Sequence, residues 1–310
     1  MRKLIVETEK PVKLSAWLKA GFPRLPAWAV KAALKNRDIR VNGVRTGGNM
    51  ELRSGDEVTL YIDDARLDGP PLEAAWVSRN LVVAVKPPGV TSKAENETDM
   101  ESLVSAWLLK RGEAPEAPEA AEARACHRLD NQTGGLMMFA RNEGTAKAVR
   151  AMMEAGKIEK TYTAIVKGVP SPARATLTSY MRKDAEKAIV TVLDRPAPGA
   201  RTAVTEYAVL ESDGERSLLE VKLRTGRTHQ IRAQMARIGH PVLGDDKYGD
   251  RQFNRANQAR KMMLWAGGLE FHFEPDECPE LKEIAGKKLD SPAPFRDELH
   301  TRPDGNNKTK

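Results

Sequence analysis

Apolar and polar positions alternate with two different periods along this chain, and the changes of period mark its elements. Leu14, Trp17 and Leu18 fall at helical spacing, and Val30 and Leu34 do so again after Pro26, which suits a helix start. A compact helical pair is predicted there. Ile39 and Val41 precede the turn pair Asn42-Gly43, and Val58, Leu60 and Ile62 alternate after Ser54-Gly55-Asp56, so short strands follow. The run Leu81-Val82-Val83-Ala84-Val85 has the form of a buried strand, and Lys86-Pro87-Pro88-Gly89 halts it. A helix is predicted over Met100 to Leu109, with Leu103 and Trp107 one turn apart. Further on, Leu136 to Ala140 is an apolar strand, and Tyr162, Ala164 and Val166 share one face of a half-buried strand. Leu219, Val221 and Leu223 alternate as another strand; Ile231, Met235 and Ile238 then take helical spacing up to Gly239.

These elements divide unevenly. The expected organisation is a small module over residues 1–64, a linker over 65–78 broken by Asp68-Gly69-Pro70-Pro71, a larger body over 79–300 and a disordered tail over 301–310. Gly112 to Arg124, rich in Ala, Pro and Glu, is expected to be a solvated loop within the body. A chain of 310 residues with 40% hydrophobic and 30% charged positions has enough apolar material for a core without staples. Cys126 and Cys278 match neither a disulfide framework nor a zinc-ligand spacing, no apolar run reaches the roughly 18 residues of a membrane span, and the amino terminus lacks a signal peptide's long apolar stretch. A cytoplasmic, non-membrane, monomeric protein is expected.

Charge narrows the partner. A formal net charge of +7 favours a polyanion, and its distribution says more than its sum. Between Lys10 and Arg45 lie nine lysines and arginines, Lys31, Lys35 and Arg37 among them, against the single acid Asp38. Val221 to Leu243 carries five basic residues and no acid. A solvated face would explain either block equally well without supporting motifs.

Three separated segments supply such motifs. The first is His127-Arg128-Leu129-Asp130 followed by Asn131-Gln132-Thr133-Gly134-Gly135, a carboxylate in a polar loop ahead of a buried strand. Alone, Asp130 would more often be a turn residue than a catalyst. The second is Lys160 to Gly168, where Tyr162 can lay its ring against a base or simply pack in a core. The third runs Leu223-Arg224-Thr225-Gly226-Arg227-Thr228-His229-Gln230-Ile231-Arg232, then Gly239-His240-Pro241 and Gly244-Asp245-Asp246-Lys247-Tyr248-Gly249, and its strand, turn and helix set arginine near a helix start. His229 has no cysteine or acid at metal spacing and reads as a hydrogen-bonding residue.

In this order the three segments resemble the RluA family of RNA pseudouridine synthases over residues 79 to about 273. The stretch from Val12 to Ile62, through Ile39-Arg40-Val41-Asn42-Gly43 and Gly55-Asp56-Glu57-Val58, resembles the S-four-like, or alpha-L, RNA-binding module. The resemblance implies an α+β fold, a mostly antiparallel mixed sheet with flanking helices and a cleft across it. It implies Asp130 as the essential aspartate, Tyr162 as the active-site tyrosine and Arg232 as the arginine paired with the aspartate. Arg128 would help displace the target base, Leu264 would form an apolar wall, and Arg227, His229, Lys31, Lys35 and Arg37 are candidate RNA contacts. Gly134 departs from the family's usual serine, and a looser catalytic loop is the expected consequence. Isomerising uridine to pseudouridine is redox-neutral, so no cofactor is expected, and no metal set, Gly-x-Gly-x-x-Gly fingerprint or Walker-type loop is found. The RNA is expected to be large-subunit ribosomal RNA; transfer RNA, or a non-catalytic role in RNA binding or ribosome assembly, are the alternatives.

Overall fold

The computed structural model describes residues 1–22, 30, 33–34, 37–62, 72–93, 99–110, 123–184 and 189–299. The chain forms two compact units, one of residues 1–73 with 90–123 and one of residues 74–89 with 124–310. In the first, β1 (Arg2–Ile5), β2 (Val12–Lys13), α1 (Leu14–Gly21), β3 (Ile39–Val41), β4 (Val44–Thr46), β5 (Glu51–Leu52) and β6 (Glu57–Leu60) precede α2 (Met100–Lys110). A four-stranded antiparallel sheet runs β1-β6-β3-β4, and β2 pairs with β5. The β3–β4 hairpin turns on Asn42 and Gly43 with φ of 50° and 79°, the left-handed pair that matches strand twist. Leu14 and Leu18 from α1 close over Ile39, Leu52, Val58 and Leu60, all fully buried. Asp99 caps α2 by accepting the Ser102 N–H at 2.8 Å. The predicted second helix falls mostly outside the described residues, although Val30 and Ala33 are buried in this core.

Two sequence expectations are corrected by these boundaries. The linker expected over 65–78 ends sooner, because Ala74–Val77 forms β7, antiparallel to β8 (Leu81–Lys86). Residues 90–123 group with the first unit, where a boundary at residue 79 would assign them to the body. The expected loop over Gly112 to Arg124 and the tail over 301–310 lie largely or wholly outside the described residues.

The second unit continues with β9 (Arg124–Ala125), β10 (Gly134–Ala140), α3 (Glu143–Glu154), β11 (Ile158–Lys167), β12 (Arg174–Asp184), β13 (Ile189–Leu193), β14 (Arg201–Ser212) and β15 (Arg216–Leu223). It ends with α4 (Gln230–Arg237), α5 (Arg251–Ala256), β16 (Leu264–Phe271) and β17 (Lys288–Asp290). One sheet holds its strands in the order β13-β12-β14-β15-β11-β16-β10-β8-β7, with β17 beside β16 and β9 beside β10. Every pairing is antiparallel except β10 with β16, so the sheet is mostly antiparallel and mixed, as the resemblance implied. Strand β10 is buried on both faces: α3 packs over Leu136, Met138 and Ala140, and Met137 and Phe139 on the other face have no exposure, which explains an apolar run in place of alternation. Cys126 and Cys278 sit in that same core as free thiols. No helix among the described residues is long and apolar enough to cross a membrane.

The parallel pair positions the functional loop. Gly134 pairs with Trp265 and Gly135 with Ala266, while Tyr162 on β11 also pairs with Ala266 and Ala164 with Leu264. The segments holding Asp130, Tyr162 and Leu264 therefore meet at the middle of the sheet, although they are far apart in sequence.

Gly134 corrects the expectation of a loose loop. A Cβ there would stand 2.3 Å from Cζ3 of Trp265 and 3.0 Å from Cδ of Pro88. Trp265 cannot swing aside freely, since its indole N–H donates to the Ser291 carbonyl at 3.0 Å and the ring is buried. The large ring has taken the space of the side chain, and the loop is tight. Gly134→Ser should therefore destabilise the protein by about 2 kcal/mol or more through overpacking, measured by urea denaturation, and shrinking Trp265 to Leu in the same chain should recover part of that loss. Unchanged stability of the single variant would contradict this packing account.

Candidate active site

A cavity of about 300 Å³ opens where these segments meet, lined among others by Arg128, Asp130, Tyr162, Arg227, Arg232 and Leu264. Helix α4 brings Arg232 to it, and buried amides hold that helix in place. Gln234 accepts from the Thr205 hydroxyl at 2.6 Å and donates to Ser179 at 2.9 Å, while Gln230 donates to Thr205 and to the Val204 carbonyl. Such fully satisfied polar groups cost little in place and would cost much if displaced. They lock the helix to β12 and β14.

Arg232 donates from Nη1 to Asp130 Oδ2 at 3.0 Å, the aspartate–arginine pair that the family resemblance implied. Its stronger partner is another residue. Nε and Nη2 form a fork on Asp245 at 2.7 and 2.8 Å, and Asp245 has no exposed side-chain surface. Asp245 also accepts the backbone N–H groups of Lys247 and Tyr248 at 2.8 and 3.0 Å. Burial opposes charge on both partners, but their mutual bonds outweigh it, so the carboxyl stays below its ordinary pKa and the guanidinium above. Asp245 thus neutralises the arginine, leaving Asp130 oriented by a cation that is already compensated. Motif and spacing gave Asp245 no role; an acid in the glycine-flanked turn Gly244 to Gly249 after the arginine helix was the available signal.

His229 stands at the N-cap of α4 with φ of 53°, in the left-handed region. Its Nδ1 lies 2.8 Å from the Tyr248 hydroxyl, which itself accepts the Val190 N–H at 2.7 Å. The other ring nitrogen, Nε2, is turned toward Asp130. That nitrogen is 3.9 Å from Asp130 Oδ1, beyond hydrogen-bond reach. Burial lowers the His229 pKa, and Asp130 opposes the shift. Arg232 also lies over the Tyr248 ring, 5.3 Å from its centre.

Tyr162 is buried, and burial, followed by the charge of Asp130, raises its hydroxyl well above the ordinary tyrosine range. The phenol stays neutral and offers a flat ring. Leu264, on the neighbouring strand across from Ala164, is buried and lines the cavity on the same sheet face; Arg128 is exposed at the rim, and Arg227 is tied through Nε to the Thr202 carbonyl at 3.0 Å. Arg37 is exposed in the first unit, and Lys31 and Lys35 lie outside the described residues.

Lys86 was not among the expected site residues, yet it holds the aspartate loop. It is fully buried and donates to the carbonyls of Pro87 and Asn131 at 3.1 and 2.9 Å. Burial lowers its pKa to about 7, partly offset by the Asp130 charge. Glu159, Glu270 and His272 are close enough to share a metal ion, but Lys222, Arg224 and Lys288 already engage the two carboxylates.

His127 gives the site an acid limit. Its Nε2 accepts the Met138 N–H at 3.2 Å, and burial, then the charge of Lys160, lowers its pKa to about 3. The unfolded chain, titrating near 6.5, binds the proton first, so stability should be full above pH 6.5 and fall from there down to about pH 3. Between pH 7 and 5.5 the wild type should lose about 1 kcal/mol more than His127→Gln, whose amide oxygen can still accept the Met138 N–H. Parallel urea-denaturation pH series for the two proteins would rule this out.

A family profile described as RNA pseudouridylate synthase matches residues 80–237. An uncharacterised RNA pseudouridine synthase of Aquifex aeolicus is 30% identical over 246 residues, 76% of this chain and 77% of its own. The ribosomal large subunit pseudouridine synthase C of Vibrio cholerae is 24% identical over 305 residues, 93% of this chain and 90% of its own. Human RNA pseudouridylate synthase domain containing 1 shares the fold, with a TM-score of 0.57 at 24% identity over 74% of this chain and 86% of that one. Profile, relatives and fold agree, and the chain belongs to the RNA pseudouridylate synthase family.

Proposed function

We propose that this RNA pseudouridine synthase is of the RluA type and modifies uridine in large-subunit ribosomal RNA, with residues 1–64 serving as an S-four-like RNA-binding module. The observation that carries the chemistry is Asp130, aimed into a cavity and held at 3.0 Å by an arginine that Asp245 compensates. In the reaction the bond from ribose to uracil N1 breaks, the uracil turns and C5 joins the ribose; C5 gives up a proton and N1 gains one. Asp130 acts as nucleophile or base on the sugar or base. Tyr162 stacks on the extruded uracil, Leu264 bounds it, and Arg128 at the rim fills the place it left in the RNA.

The ribosomal assignment rests on the Vibrio cholerae relative, whose likeness extends over the amino-terminal region as well as the body. The basic cluster from Lys10 to Arg45 supports an RNA-binding role for the module. Mapping pseudouridines in cells with and without the gene tests the target, with complementation by wild type and by Asp130→Asn. Loss of defined sites in large-subunit RNA, restored only by the wild type, is expected. Losses confined to transfer RNA would replace the ribosomal assignment.

A further inference from the structure

Lys160 is unlike the other lysines around it. On the same strand Lys167 pairs with Asp250, and nearby Lys157, Lys222 and Lys288 pair with Glu277, Glu159 and Glu270. Lys160, half-buried, has no carboxylate partner among the described residues, and it lines the same cavity as Asp130 and Tyr162. A buried cation without a counterion is costly to keep, and an anionic ligand removes that cost.

Its position suits one part of the substrate. Lys160 and Tyr162 are two residues apart on β11, about 7 Å along the strand and on one face, so amine and ring reach neighbouring points of the cavity. The amine lies against Gly226, where a Cβ would come within 3.6 Å of Nζ; the same turn presents Arg227, another cavity-lining cation without a carboxylate partner among the described residues. Asp130 is engaged by Arg232 at 3.0 Å and no ion pair joins it to Lys160 among the described residues, so the amine is not committed to the carboxylate at which the base reacts. A neutral uracil offers such a cation only a carbonyl. A phosphodiester offers a full charge.

We propose that Lys160 binds a backbone phosphate of the RNA next to the uridine being isomerised, and so sets how deep that nucleotide enters the cavity. The inference rests on the synthase reading of the site but not on which RNA is modified. The probe is a synthetic stem-loop carrying the uridine that the mapping identifies, made with ordinary linkages or with one neutral methylphosphonate on either side of that uridine. Lys160→Met should lower kcat/KM about tenfold on the ordinary RNA, chiefly through KM, and reduce the slope of log affinity against log salt by about one. Lys160→Arg should recover most of the loss, and circular dichroism should show all three proteins folded.

A neutral linkage at the contacted phosphate should cost the wild type about tenfold and cost Lys160→Met nothing further. Unchanged salt slopes, or neutral linkages that cost the variant as much as the wild type at both positions, would overturn the phosphate assignment. A Lys160→Met loss that no linkage change reproduces in the wild type would place the amine on the base and overturn it equally. Because mapping selects the stem-loop, a transfer RNA target would refute the ribosomal assignment and leave this test intact.

Discussion

Asp130→Asn should lower the rate of pseudouridine formation by about three orders of magnitude or more, while RNA affinity changes by no more than a few fold. Asn has the size of Asp but neither its nucleophilic oxygen nor its basicity, so bond breaking at the ribose loses the carboxylate that lines the cavity. On the proposed reading, binding rests on other groups that line the cavity, the ring of Tyr162, Leu264 and the cations Arg128, Lys160 and Arg227, none of which the substitution removes. Single-turnover kinetics on the mapped RNA separate the two quantities. Turnover within tenfold of the wild type would sink the role given to Asp130, and a large loss of affinity would mean that the carboxylate also organises the cavity.

A second large effect is expected one layer back from the substrate. Asp245 holds Arg232 by two bonds of 2.7 and 2.8 Å and has no side-chain exposure. In Asp245→Asn an amide replaces one of the accepting oxygens, and a buried guanidinium loses its two-bond counterion, keeping only Asp130 and the exposed Asp246 at 3.3 Å. Breaking a buried pair in this way costs about 3 to 5 kcal/mol. Part of it should appear as lost stability. The rest should appear in catalysis, with kcat down about 100-fold and KM little changed, because Arg232 would then be drawn onto Asp130 and would no longer simply orient it. Asp245→Asn that keeps wild-type kcat at a temperature where circular dichroism shows it folded would reduce Asp245 to a structural residue. A KM effect without a kcat effect would do the same.

Much of the site was legible before any geometry. His127-Arg128-Leu129-Asp130, the strand around Tyr162 and the segment ending in Arg232 each carry chemistry in residue types and order, and the chain's periodicities located the strands and helices that hold them. Local patterns suffice for this because a strand's alternation or a helix stop depends on neighbours within a few residues. What remained open were the facts that depend on contacts between distant segments. The linker reading of residues 65–78 missed β7, since a four-residue strand shows itself only through its partner β8. Gly134 read as a loosened loop, when it is the approach of Trp265 from a parallel strand that leaves no room for a side chain.

The same division holds within the site. From its own residues the chain determined a carboxylate, an aromatic ring and an arginine in three motifs, together with a basic charge balance, and its family resemblance implied the mixed sheet. Only the tertiary structure decided that Arg232 belongs first to Asp245 and second to Asp130, that Lys86 is buried beneath the aspartate loop, and that Lys160 lines the cavity without a carboxylate partner among the described residues. The physical reason is that charge compensation and desolvation are properties of a place: they depend on which groups converge within a few ångströms, and sequence spacing carries no record of distance across a sheet.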